Sequence, residues 1–290
     1  MEIYNNENNK AEKYSSQVKE RGFFPRSEIN DWLPIWEKIA FFLIGFIGIK
    51  IISKVIQRII QMTTLVQVNQ TLALVLINFL TYLLLLLAFL GFIFLDRRKT
   101  YLKLFNELKK PDTYIWALIG FGLVLGYQMV LGNLFTISFS FYGNNANESS
   151  IESMTKVYPV LMFIITVFFA PLAEEFTYRI GLVDSIGHKY QFRWLGVIIS
   201  AIIFGCIHAD IINSYYELVY YTQNEASAEV IKQATYALYN EWLNLPIYIG
   251  SGFFLALTYA KSGKISSSIL AHMGLNCFSM IVSFINYFGK

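Results

Sequence analysis

About seven runs of this chain are apolar for long enough to cross a bilayer, and that feature leaves little choice of architecture. They cover roughly 35–56, 72–95, 114–136, 158–186, 194–213, 243–260 and 265–288. Backbone amides in lipid must find partners within their own segment, so runs of this length become helices. The expected fold is an all-α, polytopic membrane bundle of about seven transmembrane helices. Composition agrees: 55% of the 290 residues are hydrophobic and 15% are charged, with a mean hydropathy of +0.46. A soluble domain does not carry such a balance. The first run is the weakest, because Lys38, Lys50 and Lys54 interrupt it; a tilted or partly interfacial helix is the alternative there.

The links order the spans. Arg97, Arg98, Lys99, Lys103, Lys109 and Lys110 lie between the second and third runs. Residues 1–34 hold further Lys and Arg and no short apolar core of a signal peptide, and read as a polar cytoplasmic tail, partly disordered. Lys189 with Arg193, and Lys261 with Lys264, fall on the same side, whereas the alternate links are poor in Lys and Arg. Positive charge stays in the cytoplasm, so the N-terminus is expected inside and the C-terminus outside. Segment 214–242 is too polar to span and suits a helix at the outer interface. The net charge of +3 is small. No nucleic-acid partner is expected; membrane lipids are.

Three polar islands sit in the apolar runs of the second half. In "APLAEEFTYR" the carboxylates Glu174 and Glu175 are followed by Arg179, and apolar sequence continues to Gly187. A helix over 158–186 is about 43 Å long, which places Glu174 near mid-membrane, with Pro171 a candidate kink. Glu175 and Arg179 are four apart and can pair, while Glu174 points about 100° away, poorly solvated and suited to accept a proton. The second island is "FGCIH", Phe204 to His208. The third is "HMGLN", His272 to Asn276, whose spacing puts imidazole and amide on one helical face. A lone His on an apolar helix is usually structural, and His with Asn is also common glue between membrane helices. Taken together, Glu174, His208, His272 and Asn276 supply a base for water and donors for an oxyanion, and are expected to line one cavity reached from the cytoplasm or laterally. His188 reads as a surface residue.

These islands resemble the EExxxR, FxxxH and HxxxN motifs of the CAAX protease and bacteriocin-processing family of intramembrane proteases, in the family's order. The resemblance marks 157–290 as the catalytic membrane domain, with 214–242 as an insertion and 35–156 as N-terminal helices without a recognised motif. It implies an α-helical membrane endopeptidase similar to type II CAAX prenyl endopeptidases. By the same resemblance Glu174 activates water, His208 assists, His272 and Asn276 line the oxyanion site, and Glu175, Arg179 and Phe204 support the pocket. No cofactor is the favoured reading. Zinc held by Glu174, His208 and His272 is the alternative, although the HExxH spacing is absent. Cys206 and Cys277 adjoin His208 and Asn276, but neighbouring helical positions face apart, and buried Cys is usually a small hydrophobe. Two other functions compete. One is an inactive regulator or bacteriocin-immunity protein of the same fold. The other is a proton-coupled transporter, which predicts internal repeats and broken helices in both halves; the polar groups occur in the second half only. Frequent Asn, Ile, Lys and Tyr suit a bacterium of low genomic G+C, and so a plasma-membrane protein acting on a peptide or protein precursor.

Overall fold

The computed structural model describes Phe24 and residues 33–95, 100–187 and 192–288, so the rest of the polar tail before the first span, Arg97 to Lys99 and His188 lie outside the described residues. Among the described residues there is no strand. Seven helices among these residues are long and apolar enough to cross a membrane, as the runs of sequence require. The chain is therefore an integral membrane, all-α bundle. In order the helices are α1 Ile35–Gln61, short α2 Leu65–Val68, α3 Gln70–Leu95, α4 Thr100–Leu108 and α5 Pro111–Ser138. They continue as α6 Ala146–Val157, α7 Pro159–Ile186, α8 Arg193–His208, α9 Ile211–Gln223, α10 Ala228–Ser262 and α11 Ile265–Phe288. The interrupted first run is one helix, with a π-helical stretch at Ile44–Gly48.

Segment 214–242 differs from expectation. It is no separate helix: its first part belongs to α9, and the rest opens α10, which runs unbroken into the sixth span. At 35 residues α10 is about 52 Å long, well beyond a ~30 Å hydrocarbon core. Its polar first half packs against α9, so the two make a helical hairpin between the fifth span, which ends at His208, and the sixth. Good helix formers such as Ala, Glu and Lys, with Ser227 capping Val230, start α10 well before the apolar run.

Small residues bring the helices close where lipid offers no hydrophobic drive for association. A Cβ at Gly45 would meet Thr177 Oγ1 at 1.7 Å, and one at Gly181 would meet the Phe42 backbone at 2.7 Å, so α1 lies directly against α7. The main core joins both halves of the chain: Phe41, Leu85 and Phe89 pack with Phe176, Ile180 and Tyr259. α8 packs on α10, and α11 on α5.

Candidate active site

α7 is continuous from Pro159 through both glutamates to Ile186, as its apolar continuation predicts. It is not uniform. π-helical stretches at Ile164–Phe169 and Phe176–Val183 flank the α-helical turn Ala170–Glu175 that carries the carboxylates. Such widened turns are frequent at functional sites. Pro171 explains the first of them. Ala170 N–H donates to Ile165 O, and Pro171 has no N–H to give, so Thr166 O lacks a helical donor. The Asn276 amide supplies one from α11, at 2.7 Å.

The two carboxylates have different surroundings. Glu175 is fully buried, and Arg179 grips it with two hydrogen bonds, Nε at 2.8 Å and Nη2 at 3.1 Å. Ser268 donates to Glu175 Oε2, and His272 Nδ1 lies 3.1 Å from Oε1. Arg179 is itself fully buried, bonds Ser200 at 2.9 Å and sits over the Phe204 ring. Its charge is thus spent on Glu175. Glu174, 13% exposed, has no polar partner of such strength. Tyr82 O–H approaches Oε1 at 3.5 Å, His208 Nε2 stands 4.0 Å from Oε1, and His272 Nε2 stands 3.7 Å from Oε2.

Both imidazoles turn the same atom to Glu174. His208 Nδ1 is 2.8 Å from Phe204 O, which can only accept, so Nδ1 carries the proton. His272 Nδ1 faces a carboxylate already holding Arg179, and carries its proton for the same reason. Each ring then presents its Nε2 toward Glu174. The gaps of 3.7 and 4.0 Å suit a bridging water. They are wider than the ~3.3 Å between neighbouring donors on one tetrahedral zinc, and the two nitrogens address different oxygens. Among the described residues no group of three His, Cys, Asp or Glu is arranged to hold a metal ion. As placed, Glu174, His208 and His272 do not fit a shared zinc.

A cavity of about 220 Å³ adjoins Glu174 and His208, walled by Tyr82, Tyr178, Ile207 and by Phe46 and Lys50 of α1. Two points correct the expectation. His272 and Asn276 are not in its wall; His272 backs Glu174 from α11, and Asn276 is occupied with the proline-induced gap in α7. Asn147, from the link opposite the basic ones, is in the wall, so the cavity extends toward that end of the bundle. Phe204 is a spacer: its ring stacks on His208 at 4.4 Å and meets His272 at 6.0 Å. Cys206 is exposed and Cys277 half-buried, both with free thiols.

Sequence reading missed the residues that hold His208. α8 ends at His208, and the break before α9 exposes backbone groups that need partners. Asn145 Nδ2 caps His208 O at 3.0 Å. Glu241, 1% exposed, accepts from Asp210 N–H at 2.7 Å, Ala146 N–H at 2.8 Å and Asn145 Nδ2 at 3.4 Å. Tyr248 stacks on the other face of His208 and donates to Glu148, whose carboxyl is raised by burial, the Tyr248 bond opposing. The available signal was a Glu just ahead of the sixth run. Glu241→Ala is expected to lower turnover about tenfold or more while leaving peptide binding nearly intact, because three N–H groups lose their acceptor and His208 drifts. A kcat equal to that of the unaltered protein rules out this clamp.

Comparison with known proteins bears on this arrangement. Residues 156–278 match the family model "Type II CAAX prenyl endopeptidase Rce1-like". That segment is similar to the Rce1-like endopeptidases. It contains both carboxylates, both imidazoles and Asn276, and the Rce1-like region thus coincides with the α7, α8 and α11 constellation. The chain is 26% identical over 191 residues to "Membrane-embedded CAAX protease MroQ" of Staphylococcus aureus (strain USA300), covering 63% of this chain and 64% of that protein. It is 26% identical over 168 residues to "Putative membrane peptidase YdiL" of Bacillus subtilis (strain 168), covering 58% and 55%. A protein of Mycoplasma capricolum is 28% identical over 193 residues, 62% and 46%. The chain thus spans less than two thirds of each of these relatives. No solved structure matches it significantly.

Proposed function

We propose that the chain is an intramembrane endopeptidase of the CAAX type, in which Glu174 activates water against a peptide bond of a peptide or protein precursor. One observation carries the reading. A carboxylate beside a cavity faces the Nε2 atoms of two imidazoles, while its neighbour Glu175 is separately paired with Arg179. The Rce1-like segment and the two relatives named as protease and peptidase support it.

In the proposed cycle a water lies between Glu174 Oε1 and His208 Nε2. Glu174 takes one proton as the oxygen attacks the peptide carbonyl, and His208 orients the water through the other. The proton passes from Glu174 to His272 Nε2. Glu175, already bonded to Nδ1, stabilises the imidazolium as the carboxylate of a catalytic triad does. His272 then returns that one proton through Glu174 to the departing amine, and the attacking oxygen stays in the new carboxyl group. Asn276 acts as a positioning residue, its amide committed to Thr166 O in the turn of α7 ahead of Glu174. No step needs a metal or a thiol. The membrane is proposed to be a bacterial plasma membrane with the N-terminus cytoplasmic; the relatives' bacterial origin supports the first part, and the basic links support the second.

The test is cleavage of synthetic precursor peptides by purified protein in lipid discs, with the new termini read by mass spectrometry. Strong chelation and thiol alkylation are expected to leave the rate unchanged. Loss of rate under chelator, restored by added zinc, assigns the chemistry to a metal instead, with Glu174, His208 and His272 as ligands. Failure to cut any precursor removes the protease reading.

A further inference from the structure

The cations that interrupt the first apolar run have no part in the chemistry above. Lys50, Lys54 and Arg58 recur at intervals of four along α1, and with Gln57 and Gln61 they occupy one helical face. All five are exposed. The adjacent face, Ile51, Val55 and Ile59, is exposed and apolar, and Ile56 with Ile60 packs against α3. The helix therefore shows lipid one side and a basic stripe of about 12 Å on another. Among the described residues no carboxylate pairs with Lys50, Lys54 or Arg58; Lys50 Nζ rests 5.4 Å from the centre of the Phe46 ring. A cation within a membrane span is costly unless it meets water or an anion. Lys50 meets the cavity, sharing its wall with Glu174 and His208.

We infer that this stripe binds carboxylates of the peptide substrate. Lys50 anchors one at the cavity, and Lys54 and Arg58 guide an acidic segment along α1 from the end of the bundle where Asn147 lies. The inference rests on the cavity being the peptide site. Lipid phosphate accounts for cations near a bilayer surface. It does not account for Lys50, which stands inside the wall that holds the candidate base. Charge complementarity at this position favours acidic over neutral peptides through both encounter rate and residence.

The test separates binding from cleavage by using full-length Glu174→Gln protein in discs of zwitterionic phosphatidylcholine. Two labelled peptides are compared by anisotropy: an apolar segment preceded by a run of glutamates, and the same peptide with glutamines. The glutamate peptide is expected to bind about tenfold tighter at low salt, with the advantage shrinking as salt rises. Lys50→Ala should remove most of that advantage, Lys50→Arg should retain it, and Lys50→Glu should transfer preference to a lysine-bearing peptide. Equal binding of the two peptides overturns the inference, as does a preference that survives replacing all three cations. If the substitutions instead abolish selection for phosphatidylglycerol and leave peptide preference untouched, the stripe is a lipid site and the inference fails. Charge preference without cleavage by the unaltered protein would defeat the protease reading alone; cleavage without preference would defeat this inference alone.

Discussion

Glu174→Gln is expected to lower peptide turnover by about 10²–10⁴, the range associated with losing a general base. The amide keeps the shape of the side chain but cannot take a proton from water. Stability should hardly change, because the Tyr82 O–H approaches the Glu174 carboxylate only to 3.5 Å and no strong bond is lost. The two measurements belong together: kcat on a precursor peptide, and thermal unfolding in the same lipid discs. Near-normal kcat in a purified, folded variant would sink the water-activation reading. His208 and His272 would then face a carboxylate without a catalytic task.

Arg179→Leu is expected to have its largest effect on folding. Arg179 and Glu175 are both fully buried, and the guanidinium is committed to Glu175 and Ser200. Removing it leaves Glu175 a buried carboxylate with only Ser268 and His272 as partners. Breaking one side of a buried ion pair costs about 3–5 kcal/mol. The midpoint of thermal or denaturant unfolding should fall accordingly, and Arg179→Lys should recover part of the loss, since an ammonium keeps the charge without the two-point grip. Unchanged unfolding in Arg179→Leu would show that Glu175 does not depend on this pair. Glu175 also fixes the His272 ring, so residual folded protein should turn over slowly even with Glu174 intact.

The sequence by itself determined the membrane bundle and the residues to watch. Hydrocarbon admits only segments that satisfy their own backbone, so length and apolarity sufficed for seven helices. Charges are too costly in lipid to be scattered freely, so the glutamates of α7 and the histidines of α8 and α11 stood out against their surroundings. Spacing alone placed Arg179 within reach of Glu175. Other matters depended on contacts between segments distant in the chain, which no local pattern encodes. Asn276 was legible as a polar residue, yet its bond to Thr166 O requires a carbonyl that Pro171 leaves open one helix away. Segment 214–242 read as a separate polar stretch, whereas its second part runs unbroken into the sixth span while packed against α9. Glu241 looked like an ordinary charge ahead of a span; only the fold brings Asp210, Ala146 and Asn145 to it, and with them the position of His208. The lysines of α1 appeared to weaken a helix. Close packing at Gly45 and Gly181 sets that helix against α7, and so places Lys50 in the wall of the cavity beside Glu174.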